Sequence, residues 1–170
     1  KAPFSPIDVI EEYVRPARLK EKGEIVTRPA LTEREILSFD GVGNLEAFNT
    51  DGLRSLLFTM KHIPDMKEKT LRYPIDLIIA LKQAGFFDEQ EIIINGASVS
   101  PLQFCSKLLI DNWKLGAEEE ELTVMKVIIE GAENGNAKRI EYNLLDRYDF
   151  STKISSMART TGYTCTAAAN

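Results

Sequence analysis

Two alternating runs, Leu122 to Glu130 and Lys138 to Asp146, flank Glu133-Asn134-Gly135-Asn136, and no other stretch limits the fold as much. Asn-Gly tolerates the positive φ angles that a tight two-residue turn requires, so the runs are predicted to pair as an antiparallel hairpin. Met125, Val127 and Ile129 fall on one side of the first strand. Val124, Lys126, Ile128 and Glu130 fall on the other. One face is therefore wholly apolar and the other mixed. A second hairpin is expected where Ala17 to Lys20 and Glu24 to Thr27 flank Glu21-Lys22-Gly23. Short strands are expected at Ile36 to Phe39 and Leu45 to Phe48, with a weaker alternation from Lys67 to Tyr73.

Helices are expected between these strands. Ser5-Pro6 reads as a capped start in which the Ser5 side chain accepts a free backbone N–H, and Pro16 stops the helix. Leu53, Leu56, Leu57 and Met60 share one face of a predicted helix from Gly52 to Met60, which Asp51 could cap. Asp76 to Ala84 is a short amphipathic helix ending at Gly85. Ser100-Pro101 opens a helix reaching about Leu115, and Ser151 to Asn170 is mostly helical, with Gly162 interrupting it. The predicted class is α+β, with a mixed, largely antiparallel sheet and helices on one face.

At 170 residues the chain fits one domain, or one domain with an appendage. Its hydrophobic content of 44% is enough for a core. The net charge of −5 and the lack of a basic cluster argue against a nucleic-acid partner. No apolar run approaches the roughly 18–20 residues of a membrane helix, and Lys1-Ala2-Pro3-Phe4 does not read as a signal peptide. Cys105 and Cys165 lie far apart without metal-ligand spacing, which points to a reducing cytoplasm. The single histidine, His62, argues against a zinc site and against a Ser–His–acid set, so no metal is expected.

The stretch richest in chemistry is Asp40 to Leu53, followed by Glu68-Lys69-Thr70-Leu71-Arg72-Tyr73-Pro74. Gly41-Val42-Gly43 lacks the third glycine and following helix of a dinucleotide fingerprint, so it reads as a turn. Asn49-Thr50-Asp51-Gly52 joins a strand end to a helix start. Such a junction can offer backbone N–H groups and short polar side chains to a carboxylate, although plain helix capping by Thr50 or Asp51 is the simpler reading of the spacing. Arg72 can fork onto a carboxylate. Tyr73, its strand neighbour, points to the opposite face, so only one of the two faces a given pocket.

In order along the chain, several segments resemble the saccharopine dehydrogenase family, which includes lysine 6-dehydrogenase. They are Ser5-Pro6-x-Asp8-Val9-Ile10-Glu11-Glu12-Tyr13 with Arg15-Pro16-Ala17-Arg18, Leu45 to Leu53, Glu68 to Pro74, Gly85-Phe86-Phe87, Asp146-Arg147-Tyr148-Asp149 and Met157 to Tyr163. The resemblance implies an enzyme in three parts: a Rossmann domain for NAD or NADP, a central α+β domain that binds substrate and dimerises, and a segment returning to the Rossmann domain. This chain resembles the central part, with residues 1–153 as the substrate-binding and dimerisation domain and 154–170 as a helix leading back. The implied activity is hydride transfer at the C–N bond of a lysine-derived amino acid, with the nucleotide bound outside this chain and the isolated chain inactive. The implied substrate residues are Glu46, Asn49, Thr50, Asp51, Arg72 and Tyr73: Arg72 for a carboxylate, Asp51 or Glu46 for an amino group. The family pattern continues Leu-Arg-Tyr-Pro-Gly-His, whereas here Ile75-Asp76 follows Pro74 directly, so no catalytic residue is assigned. The rival expectations are lysine 6-dehydrogenase or carboxynorspermidine-type activity, and a non-catalytic dimerising module.

Overall fold

The computed structural model describes Ala2, residues 5–116 and residues 118–169. The class is α+β. Elements run α1 (Pro6–Val14), β1 (Ala17–Glu21), β2 (Glu24–Arg28), β3 (Glu35–Phe39), β4 (Gly43–Asn49), α2 (Leu56–Thr59), β5 (Lys69–Arg72), α3 (Asp76–Gln83), β6 (Ile92–Ile94), β7 (Ala97–Val99), α4 (Pro101–Trp113), β8 (Leu122–Glu133), β9 (Asn136–Arg147) and α5 (Ser156–Ala169). Every strand pair is antiparallel. Among the described residues the strands are distributed over four small sheets: β1–β2, β3–β4–β5, β6–β7 and β8–β9. They do not join in a single sheet. Among the described residues, no helix is long and apolar enough to cross a membrane.

Two compact units divide the chain, one of them Ser5–Trp113. Its core gathers Val9, Ile10 and Tyr13 from one side of α1, Ala17 and Leu19 from β1, Leu45, Ala47 and Phe48 from β4, with Leu57 and Phe87. Tyr13 is its aromatic hub, with Phe48, Phe87 and Trp113 all within 6.5 Å between ring centroids. The segment before β5 is tied to β1 by a reciprocal pair of backbone bonds between Lys20 and Met66. The buried Lys20 ammonium donates to the carbonyls of Met60 and Lys61 just past α2. A cation placed there complements the negative end of the helix.

The other unit holds β8, β9 and α5. Asn134 and Gly135 take φ of 53° and 80°, as a two-residue hairpin turn demands. The ribbon runs three residues beyond the expected Glu130, to Glu133. Helix α5 is held at one end of the apolar face, where Ser156 donates to Thr123 and Arg159 pairs with Asp146.

Four local expectations are corrected. Ser5 sits at the N-cap of α1, but its backbone carbonyl makes the first bonds and its side chain makes no capping bond. The helix expected from Gly52 shrinks to α2, because Arg54 adopts a left-handed φ of 47° that a helix cannot contain. Helix α5 starts at Ser156 and runs through Gly162 without a break. A single interior glycine costs a helix only about 1 kcal/mol. Asn170, where that helix was expected to end, lies outside the described residues. The β6–β7 hairpin was not anticipated at all, although Asn95-Gly96 carries the same turn signal as Asn134-Gly135.

Candidate functional site

The β3–β4–β5 sheet organises the predicted residues. Gly41-Val42-Gly43 forms the turn between β3 and β4, closed by Val42 N–H donating to the Phe39 carbonyl. In the β4–β5 register Glu46 lies opposite Arg72 and Phe48 opposite Thr70, so these four side chains share one face. Asn49 and Lys69, opposite one another, take the other face. Helix α1 covers the first face: the Tyr13 and Phe48 rings are 6.2 Å apart, and Arg72 pairs with Glu12 at 2.6 Å.

Each predicted residue has a defined place. Glu46 is buried, accepting from the Arg34 guanidinium and from Ile75 N–H at 3.0 Å. The hydrogen bond from Arg34 holds its carboxyl below the usual range, against the opposing cost of burial. Asp51 accepts from Arg18 Nε at 2.9 Å, Nη2 at 2.8 Å and backbone N–H at 3.1 Å. This arrangement depresses the Asp51 carboxyl and occupies it, so Asp51 caps no helix. Asn49 is fully buried at the end of β4. Its Nδ2 donates to Thr32 and its Oδ1 has no partner. Thr50, also buried, donates to Glu68 and lies 2.9 Å from the Thr70 hydroxyl. Arg72 is part-buried beneath α1, whereas Tyr73 is 68% exposed beyond the strand. The two neighbours therefore diverge as the strand alternation requires.

Thus Glu46, Thr50 and Arg72 share the α1-covered face, Asn49 lies on the opposite face, Asp51 turns to β1, and Tyr73 faces solvent. The structure adds two carboxylates to which the sequence reading gave no role, Glu12 and Glu68. The Glu68 carboxylate sits in the Asn49–Gly52 junction itself, accepting from Thr50 Oγ1 and from Gly52 N–H at 3.2 Å. The junction does grip a carboxylate, but one from within the chain. Gly52 makes the seat possible, since a Cβ there would lie 2.5 Å from the Glu68 Cδ and Oε2. The available signal was period two: Glu68, Thr70 and Arg72 alternate onto one face. Burial pushes the Glu12 carboxyl up; Arg72 opposes this, while Glu68 and Asp8 add to it. Burial likewise raises the Tyr13 phenol, again opposed by Arg72.

Chemically, this face presents the Arg72 guanidinium, the Thr50 and Thr70 hydroxyls and the carboxylates of Glu12, Glu46 and Glu68 beside the Phe48 and Tyr13 rings. That set can recognise a small zwitterion through paired charges. Among the described residues, no group of three or more His, Cys, Asp or Glu side chains is arranged to hold a metal ion. The family model for the saccharopine dehydrogenase C-terminal domain matches residues 1–170, the whole chain, and the chain belongs to that family of oxidoreductase domains.

Proposed function

We propose that this chain is the substrate-binding domain of an NAD- or NADP-dependent oxidoreductase that acts on the C–N bond of a lysine-derived amino acid by hydride transfer. The nucleotide binds to a part of the enzyme outside this chain. Arg72 carries the reading. Its side chain keeps 29% of its surface exposed, and its only ion-pair partner among the described residues is Glu12, whose charged form burial disfavours. A substrate carboxylate can replace Glu12 on the guanidinium at little cost, because Glu12 takes up a proton more readily than an ordinary glutamate. Thr50 walls the site near the Asn49–Gly52 junction, Asn49 holds the end of β4 from the opposite face through Thr32, and the exposed Tyr73 flanks Arg72. Glu46 and Asp51, each held by a guanidinium (Arg34 and Arg18), border the site rather than meet the amino group.

A second copy of the chain is the proposed partner. Met125, Val127, Ile129 and Tyr142 line one face of the β8–β9 ribbon and are 37–59% exposed. A two-stranded ribbon is at best marginally stable alone, so covering this face stabilises it. The reading places the protein in the cytoplasm, where Cys105 and Cys165 stay free thiols.

The test is Arg72→Ala in the full-length enzyme. A lost charge-assisted bond of about 1.5–3 kcal/mol corresponds to a KM for the amino-acid substrate raised roughly 10- to 100-fold. An unchanged KM refutes the assignment.

A further inference from the structure

We infer that Glu68 is the group that receives the amine of the substrate. The inference rests on the substrate-side reading of Arg72 above and follows from how charge is distributed over this sheet. Glu46 has Arg34, Asp51 has Arg18, Glu35 has Lys69 and Glu12 has Arg72. Glu68, half-buried, has no lysine or arginine within ion-pair distance among the described residues. Its Oε2 accepts from Thr50 Oγ1 and Gly52 N–H, so the carboxylate is anchored by neutral donors. Its Oε1 has no hydrogen-bond partner among the described residues.

An arriving ammonium can form a charge-assisted hydrogen bond to this carboxylate, which no lysine or arginine among the described residues already holds. Neither Asp51 nor Glu46 offers this, because a ligand amine would have to compete with a guanidinium already in place. Glu12 is close enough to Glu68 to affect its neighbour's charge, and Asp8 adds a further acid. Arg72 is the one cation among them, and it is the group that faces the substrate carboxylate. With Arg72 engaged there, Glu12 beside Glu68 adds a second acid to the end that takes a primary or secondary ammonium. Glu68 and Arg72 lie four positions apart on one face, about 13 Å between Cα atoms along an extended strand. This spacing separates the amine-binding end from the carboxylate-binding end.

The test uses the chain with three probes: 6-aminohexanoate, n-butylamine and hexanoate, followed through the Gly52 and Thr50 amide resonances. Glu68→Gln keeps an acceptor for Thr50 and Gly52 and removes only the charge, so its melting temperature should stay near that of the parent. The expected result is that n-butylamine moves the Gly52 resonance and that Glu68→Gln weakens both amine-bearing probes at least tenfold. Hexanoate binding should survive Glu68→Gln and be lost in Arg72→Ala. Wild-type affinity of Glu68→Gln for n-butylamine overturns the inference, as does failure of the parent chain to bind either amine. Amine binding that depends on Glu68, with no hexanoate binding at all, upholds the role of Glu68 while removing that of Arg72.

Discussion

Gly52→Ala tests the polar seat directly. The new Cβ would lie 2.5 Å from Glu68 Cδ and Oε2 and 2.9 Å from its Cγ. Gly52 does not have a left-handed φ, so the backbone tolerates alanine and the effect is steric. Ordinary contact needs roughly 3.5–4 Å, so the Glu68 carboxylate must withdraw by about 1 Å. The bonds from Thr50 Oγ1 and Gly52 N–H then break. Hydrogen bonds to a charged group contribute about 1.5–3 kcal/mol each, but Glu68 is half-exposed and water replaces much of that. Alanine also restricts the unfolded chain, which returns about 0.4–1 kcal/mol. The net loss should be about 1 kcal/mol, or roughly 2–4 °C in Tm for a chain of this size. Denaturant unfolding followed by the single tryptophan, Trp113, is a suitable assay, since its ring stands edge-on to Tyr13 at 6.3 Å. In a Glu68→Ala background the same substitution should be neutral or mildly stabilising. An equal loss in both backgrounds refutes the clash as the cause.

Two further outcomes follow from the same unit. Glu46→Gln should cost about 1–2 kcal/mol by weakening the bond from Arg34 while retaining an acceptor for Ile75 N–H, a loss moderated by the exposure of Arg34. Because the folded-state carboxyl lies below its unfolded value, this stabilisation is complete above the unfolded pKa and disappears as pH falls through the folded one. Urea titrations across the acid range should therefore show a shallower pH dependence for Glu46→Gln than for the parent, and superimposable slopes would exclude the ion pair as the source. Phe48→Ala removes a fully buried ring that packs on Tyr13 and should cost about 3–5 kcal/mol by equilibrium unfolding. A loss below 1 kcal/mol would show that Phe48 is not central to this core.

Local patterns carried far where the physics is local. The Asn134-Gly135 turn and the alternation on either side of it were enough to find β8 and β9, because φ preference and strand periodicity act over a few residues. Asn95-Gly96 holds the same turn information, but Ile92–Ile94 is too short for alternation to mark a strand beside it. The helix beyond Gly52 failed for a different reason. Leu53 and Leu57 are buried at the expected i, i+4 spacing, yet the turn at Arg54 makes the same burial without a continuous helix. Apolar spacing reports which side chains go inside, and it does not report the backbone between them.

By itself the sequence determined that the chain is α+β with largely antiparallel strands, and that its polar signal is concentrated around residues 46–52 and 68–73. Those properties follow from neighbours in the chain. Only the tertiary structure decided which charges are already spent. Arg18 reaches across 33 positions to Asp51 and Arg34 across 12 to Glu46, whereas Arg72 meets Glu12 across 60 and Glu68 meets no cation among the described residues. Ion pairing depends on where side chains end up in space, and a carboxylate that is satisfied or waiting reads identically in the sequence.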